Sequence, residues 1–294
     1  AKTVKDAADI LDVIAGPAEE DPRTASAAGH LPPSGFAAAL NDSALVGKRF
    51  GLVGQGWRTS FLPLAPETEA FYLDAISILR GEGAEVVEDP FSETPFIEVY
   101  QDRRGARSSG GDAMLDYLQG LGNGAAFHSI EEWEALSGLS FGRGGGRGRR
   151  QADRDSTSVR IPEPATDALG GEERPSFQDW RNRIQALFRE VMAENDLDGL
   201  FFPQAGAPIP DLIDDPEQPE RNPNNHPELP SNIINDIGLP LVTLPFAYYE
   251  DGTPFVLAFI GDVWTEAELL SFAFDLEQAT RGRKPPELVA SPGR

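Results

Sequence analysis

The sequence predicts an α/β fold on three observations. A strand, a helix and a second strand follow one another between Arg49 and Val87, the succession that builds an α/β layer. A long amphipathic helix from Phe177 to Met192 leads into the apolar strand Gly199-Leu200-Phe201-Phe202-Pro203. Two further apolar runs, Leu241–Leu244 and Phe255–Ile260, flank the turn signal Glu250-Asp251-Gly252 and read as a hairpin.

Taken in order, the elements begin with a helix capped by Thr3, whose inner face is expected to carry Ala7, Ala8, Ile10, Leu11 and Ile14. Gly16-Pro17 stops it, and residues 17–44, rich in Pro, Ala, Ser and Glu, form a surface connection. Arg49-Phe50-Gly51-Leu52-Val53 is a short strand. Pro66 opens a helix through Leu79 with Phe71, Ile76 and Leu79 apolar, ended by Gly81 or Gly83. Ala84-Glu85-Val86-Val87 is the next strand. Ser129 and Glu132 form a capping box that starts a short helix. The Gly/Arg-rich run from Phe141 to Arg150 reads as a solvated loop rather than an RNA-binding segment in so acidic a chain. Ser176 caps the long helix, on which Phe177, Trp180, Ile184, Leu187, Phe188, Val191 and Met192 recur at helical spacing. Residues 204–230 are a polar, proline-rich loop, long enough to suggest that it covers something or is functional. Thr265 and Glu268 form a second capping box for a last helix ending near Gly282. The chain is taken as a single α/β domain over residues 1–294, with 142–175 as a flexible insertion.

Composition narrows the function classes. There are 48 acidic and 25 basic residues, a net charge of −23, which argues against nucleic acid or an anionic membrane as the main partner because both would be repelled. The acid-rich, lysine-poor composition is compatible with a salt-tolerant protein, but it is read first as ordinary solubility charge. No apolar stretch approaches the roughly 20 residues needed to span a bilayer. With no cysteine in the chain, disulfides, thiolate metal sites and a cysteine nucleophile are excluded.

Four segments, in order, carry a family resemblance. The first is Thr3-Val4-Lys5-Asp6-Ala7-Ala8 through Ile14-Ala15-Gly16. The second joins Gly47-Lys48-Arg49-Phe50-Gly51-Leu52-Val53 to Pro66-Glu67 and Gly83-Ala84-Glu85-Val86-Val87. The third is Asp198-Gly199-Leu200-Phe201-Phe202-Pro203. The fourth runs from Asn235-Asp236-Ile237-Gly238-Leu239-Pro240 through Thr243-Leu244-Pro245, Gly252-Thr253-Pro254, Phe259-Ile260-Gly261 and Thr265-Glu266 to Glu277-Gln278-Ala279-Thr280 and Lys284-Pro285-Pro286. In this order they resemble the C-terminal two-thirds of the amidase-signature family. Residues 91–175 match nothing specific.

The resemblance implies an α/β fold with a mixed sheet flanked by helices, incomplete at its N-terminal side, and hydrolysis of a carboxamide or ester without metal or cofactor. In the family a serine attacks the carbonyl, a cis-serine relays the proton and a lysine acts as base. A hydroxyl is a poor nucleophile until a positioned base removes its proton, and backbone N–H groups of a glycine-rich signature stabilise the oxyanion. All these elements precede the helix that begins at Thr3. They are therefore expected on an N-terminal segment or partner subunit, with a small-molecule amide as substrate.

Several motifs compete with this reading and are weaker. Arg107-Ser108-Ser109-Gly110-Gly111-Asp112-Ala113 looks like the family's serine–glycine signature, but it lies downstream of the Thr3 helix and no lysine occurs between Lys48 and Lys284. It reads as a helix-capping turn. No Gly-x-Ser-x-Gly elbow supports a Ser-His-Asp alternative through His128 or His226. Gly54-Gln55-Gly56 lacks the third glycine and the helix of a dinucleotide fingerprint. His226 near Asp214, Asp215 and Glu228 lacks metal-ligand spacing.

The resemblance gives the C-terminal part the role of pocket wall. Gln204, which follows the pocket strand, and Glu228 and Asn232, which lead into the Asn235–Pro240 motif, are the candidate substrate contacts. Phe246, Tyr248 and Tyr249 follow Pro245 where the family often has a glycine, which places aromatics near the expected pocket. Tyr248 is the fourth candidate, suited to an apolar acyl or aryl group.

Overall fold

The computed structural model describes residues 1–19, 21–59, 61, 63–105, 117–138, 141–143, 159–161, 176–208, 229 and 231–285. The chain divides into two compact units, one made of residues 1–100 and 184–294, the other of residues 101–183.

The first unit is built on a mixed five-stranded sheet. Its strands are β1 (Arg49–Leu52), β2 (Glu85–Glu88), β5 (Gly199–Pro203), β6 (Leu241–Tyr248) and β7 (Pro254–Ile260), in the spatial order β2-β1-β5-β7-β6. Strand β1 lies between β2 and β5 and runs parallel to both, with Phe50 opposite Val86 on one side and Gly199 on the other. From β5 onward pairing is antiparallel, Phe201 meeting Phe259 and Leu244 meeting Leu257. The expected hairpin is β6–β7. Its turn is fixed by the Asp251 carboxylate, which accepts the Thr253 N–H at 2.8 Å, and by Gly252 at φ +85°. Helix α1 is Val4–Ile14, α2 is Pro66–Gly81 and α3 is Phe96–Gln101. The second unit holds α4 (Ile130–Ser137) and a pair of short parallel strands, β3 (Phe141–Arg143) and β4 (Val159–Ile161). Helix α5 (Phe177–Glu194) begins in the second unit and continues into the first; α6 (Ser231–Ile237) and α7 (Glu266–Thr280) complete the first.

Two aromatic clusters fill the first unit. Phe50, Phe201, Phe259 and Phe272 meet at centroid distances of 4.9–6.2 Å around β1, β5, β7 and α7. Trp57, Phe91, Phe96 and Phe188 interlock around the loops that follow β1 and β2, with Trp57 stacked on Phe96 at 4.7 Å. Burial of each such ring is worth about 1.5–3 kcal/mol.

Helix α7 pins the N-terminal segment through polar side chains. The buried Asp275 carboxylate accepts the Leu45 N–H at 2.9 Å, Ser271 Oγ accepts the Asn41 N–H at 3.0 Å, and Glu277 accepts the Val4 N–H at 3.0 Å. These bonds satisfy donors that would otherwise be buried unpaired, which is the costly alternative.

Three local expectations are corrected. The inner face of α1 is Val4 and Ala8, whereas Ile10 and Ile14, expected inside, are 48% and 70% exposed. The capping box at Thr265 does not form: the residue sits at φ −100°, ψ 16° and its hydroxyl donates backward to the Asp262 carbonyl at 2.7 Å. Trp264, just before it, is at φ +72°, which turns the chain away from an N-cap geometry. At Ser129 only half of the box forms. Its Oγ accepts the Glu132 N–H at 3.2 Å, but the Glu132 carboxylate takes the N–H of His128 rather than that of Ser129. By contrast Thr3 and Asp6 form a complete reciprocal box, each bond 3.0 Å.

Candidate functional site

Because β1, β2 and β5 are parallel, their carboxyl ends open on one end of the sheet. In open α/β sheets ligands bind there, at the point where the chain diverges to either side of a central strand. Here that strand is β1, with β2 on one side and β5 on the other.

Between β1 and β5 the loops are tied together. Ala65 N–H donates to Gly206 O at 2.8 Å, Arg58 Nη1 donates to Leu229 O at 2.8 Å, and the rings of Phe61 and Phe202 lie 6.5 Å apart. Gln204 is the first residue past β5. Its N–H donates to Val256 O at 2.8 Å and its carbonyl accepts the Leu229 N–H at 3.0 Å. The backbone of Gln204 is thus fixed from two sides and its half-buried side chain starts from a rigid base.

Between β1 and β2 the fit is closer still. A Cβ on Gly56 would collide with the Phe91–Ser92 backbone, and one on Gly54 with the Asp89 carboxylate. The spacing Gly54-Gln55-Gly56 therefore serves loop-against-loop packing. Asp89 is itself held at φ +36°, with its N–H on Leu52 O at 2.9 Å and Oδ2 on the Gly56 N–H at 3.0 Å. Its other oxygen, Oδ1, is buried and makes no hydrogen bond in the structure. A cleft of about 260 Å³ opens beside it, lined by Gln55, Phe91, Thr94, Ile97 and Glu98 among others. Asp89 and Arg58 were not singled out by the sequence. The one available signal was the pair of glycines at 54 and 56, which marks a close backbone approach but not its partner.

The hairpin turn comes to the same end of the sheet, since Pro203 pairs with Leu257 and Tyr248 with Pro254. Tyr248 is half-buried, and its hydroxyl accepts the Lys284 N–H at 2.7 Å and donates to Lys284 O at 3.2 Å. The Lys284 ammonium lies 4.9 Å over the Tyr248 ring. Tyr249 is buried against Phe71 and Phe255, with its hydroxyl 2.7 Å from Thr68 Oγ1. Burial above all holds this phenol higher than its usual range, so it keeps its proton and stays neutral at ordinary pH. Of the aromatics after Pro245, Tyr249 belongs to the core, while Phe246 and Tyr248 are only half covered.

Gln204 and Tyr248 therefore share one end of the sheet. Asn232 lies in α6, its side chain outside the described residues; Glu228 lies outside them altogether, as do His226, Asp214, Asp215 and the Ser108-Ser109 pair. Lys48 is at the opposite end of β1, bound to Asp198 at 2.7 Å. Among the described residues no group of three or more His, Asp or Glu side chains is placed to hold a metal ion. The arrangement brings an amide side chain and a tyrosine to one end of the sheet. Among the described residues it brings no lysine to a serine.

Residues 1–270 match the family model described as Amidase. The chain is 26% identical to a probable amidase of Arabidopsis thaliana, covering 98% of this chain and 49% of that protein. It is 27% identical to one of the subunits of the glutamyl-tRNA(Gln) amidotransferase of Cereibacter sphaeroides, covering 95% of this chain and 54% of the other. Among solved structures it resembles the peptide amidase of Stenotrophomonas maltophilia, with a TM-score of 0.63 at 23% identity, covering 98% of this chain and 54% of that one. An amidase family protein from Bacillus anthracis gives a TM-score of 0.61 at 19% identity, over 98% of this chain and 49% of that one. These likenesses show the fold: a mixed sheet with flanking helices. The chain spans about half the length of the relatives it matches.

Proposed function

Because the chain belongs to the amidase family, we propose that it forms the C-terminal part, or one subunit, of a serine hydrolase that cleaves carboxamide C–N bonds. The observation that carries this reading is the family match over residues 1–270, in a chain about half as long as its relatives. The serine nucleophile, the cis-serine and the lysine base belong, on this reading, to a segment or partner chain outside residues 1–294. There a serine oxygen would attack the carbonyl carbon. The C–N bond then breaks as the amine leaves with the relayed proton, and water releases the acyl group. Residues 1–294 by themselves would be inactive.

This chain's part is to build the wall of the acyl pocket. Gln204, at the carboxyl end of β5, offers both a donor and an acceptor to a linear amide. Tyr248 and Phe246 offer aromatic surface to an acyl or aryl group, and Glu228 and Asn232 are assigned to the same wall by their place in the sequence. Rigid backbone anchoring of Gln204 supports the role, since a positioned contact costs less entropy on binding.

The amidotransferase names among the relatives favour work within a complex. The net charge of −23 weighs against tRNA handling by this half of the fold. A second reading, a non-catalytic amidase-like subunit, is favoured by the lack of a serine–lysine pair among the described residues.

A fluorophosphonate probe decides between them. Applied to the purified enzyme with peptide mapping, it is expected to label a serine outside residues 1–294. Absence of any adduct would favour the non-catalytic subunit. Catalysis by Ser109 would require Ser109→Ala to abolish turnover; unchanged turnover is expected.

A further inference from the structure

We infer that the cleft between the loops after β1 and β2 is a binding site for a small alkylammonium, with Asp89 and Glu98 as its carboxylates. The cleft lies on the β2 side of β1, whereas Gln204 lies on the β5 side. The inference goes beyond the hydrolase reading and does not depend on it.

Three observations meet at Asp89. Its backbone is held at φ +36°, in the left-handed region that residues other than glycine seldom adopt. The neighbouring loop carries glycine at two places: a Cβ at Gly54 would lie 2.6 Å from Asp89 Oδ2, and one at Gly56 would meet the Phe91–Ser92 peptide. The carboxylate is fixed by the Gly56 N–H, which donates to Oδ2 at 3.0 Å. The Asp89 N–H donates to Leu52 O at 2.9 Å, and its carbonyl accepts the Ser92 N–H at 3.0 Å. That leaves Oδ1, which is buried and receives no donor among the described residues. A buried acceptor without a donor is costly, and more so when it belongs to a carboxylate. Loop packing explains the two glycines but not an acceptor kept open.

The lining sets the charge of the ligand. A space of about 260 Å³ borders Asp89, and Glu98, Gln55 and Thr94 are on its walls. The Thr94 hydroxyl donates to Phe91 O at 2.8 Å, so it has only lone pairs left to offer. Among the described residues no Lys, Arg or His side chain lines the cleft. Two carboxylates and an acceptor hydroxyl, with no basic side chain beside them, favour a positively charged donor.

Shape and geometry select among cations. The space is far larger than a metal ion fills, and among the described residues no three acidic or histidine side chains are grouped to hold one. A guanidinium pairs best with both oxygens of a carboxylate, but Asp89 Oδ2 is already taken by Gly56. An ammonium is a point charge that a single oxygen can accept. Phe91 and Ile97, on the same walls, suit a short hydrocarbon stem.

The test titrates n-butylammonium chloride into the enzyme that contains residues 1–294, followed by ligand-detected NMR. Salt at about 0.15 M screens the general attraction of an acidic chain for cations. A dissociation constant of about 1–10 mM is expected for a ligand of this size. Neutral n-butanol and n-butylguanidinium are expected to bind at least about tenfold more weakly. Asp89→Asn retains a residue that tolerates the left-handed backbone and an oxygen for the Gly56 N–H, but replaces the open oxygen with a donor. It should weaken butylammonium at least about tenfold. Glu98→Gln, at an exposed position, should weaken it about threefold, and it tests the same cleft if Asp89→Asn fails to fold. No binding up to about 50 mM, equal affinity for butanol, tighter binding of the guanidinium, or unchanged affinity in the variants would each overturn the inference.

A carboxamide with an aminobutyl tail separates a free amine from the ammonium of a substrate. Butylammonium that competes with this amide and not with an untailed one identifies the ligand as the substrate's tail. Turnover of both amides left untouched identifies it as a free amine, and either result upholds the ammonium site. Equal competition with both would move the ammonium to the acyl pocket and overturn the assignment to the cleft. Because binding is read without turnover, failure of the hydrolase reading leaves the titration intact.

Discussion

At Gly56 the loop after β1 passes so close to the Phe91–Ser92 peptide that a methyl group has no room, and the obstacle is backbone rather than a movable side chain. Gly56→Ala is therefore expected to destabilise the fold by about 1–3 kcal/mol, as overpacking does. Urea unfolding checks it, and a loss below about 0.5 kcal/mol would contradict the packing described. Glu277 gives a pH-dependent case. Burial, the largest cause, raises its carboxyl above the ordinary 4.5 although the Val4 N–H pulls the other way. Over the window from 4.5 up to the raised value the folded state keeps a proton that the unfolded chain has released. Folding then binds protons, so stability falls as pH rises through that window. Glu277→Gln removes this dependence while keeping an acceptor for Val4. The variant should match the parent near pH 4 and exceed it slightly at pH 7, by less than about 1 kcal/mol because the group is partly exposed. A variant less stable than the parent at pH 7 would show that the charged hydrogen bond outweighs desolvation. At this scale the sequence was legible only in part. The spacing of Gly54 and Gly56 announces a close approach, but Asp89 lies beyond a different strand and its partnership exists only once β1 and β2 are side by side.

Elements whose signals are local were readable, and those whose signals depend on neighbours were not. The β6–β7 hairpin follows from Asp251-Gly252, and α5 from the recurrence of Trp180, Ile184, Phe188 and Val191, all of them buried. Helix α1 shows the limit. Its apolar residues define a helix, but which of them face inward depends on what packs there, and α7 takes Val4 and Ala8 and leaves Ile10 and Ile14 outside. Capping separates in the same way. Thr3 and Thr265 both read as helix caps in the sequence, yet only Thr3, with Asp6, forms its cap hydrogen bonds. Thr3→Ala should accordingly cost about 1 kcal/mol, whereas Glu268→Ala should change stability by less than about 0.5 kcal/mol, as an exposed position without a bond does. Thermal denaturation of the pair tests this, and equal losses would mean that the second box forms in solution.

For the whole molecule, the net charge of −23 bears on whether this chain handles nucleic acid. A surface that binds tRNA neutralises phosphates with Lys and Arg, releases counterions and weakens steeply with salt. Here 48 acidic residues face 25 basic ones, and three of the basic groups described, Lys48, Arg49 and Arg189, are already held by Asp198, Glu85 and Asp262 at 2.7, 3.2 and 2.6 Å. Long-range repulsion therefore acts before any local contact can form. In a filter or gel-shift assay, residues 1–294 should bind tRNA no more tightly than about 10⁻⁴ M at physiological salt, the weak limit of non-specific association. Tight binding that fades with added salt would contradict this and point to the run Arg143 to Arg150, which holds the densest arginines in the chain. Replacing Arg147, Arg149 and Arg150 by Gln would then abolish it. Binding that stays weak at every salt concentration is the expected outcome.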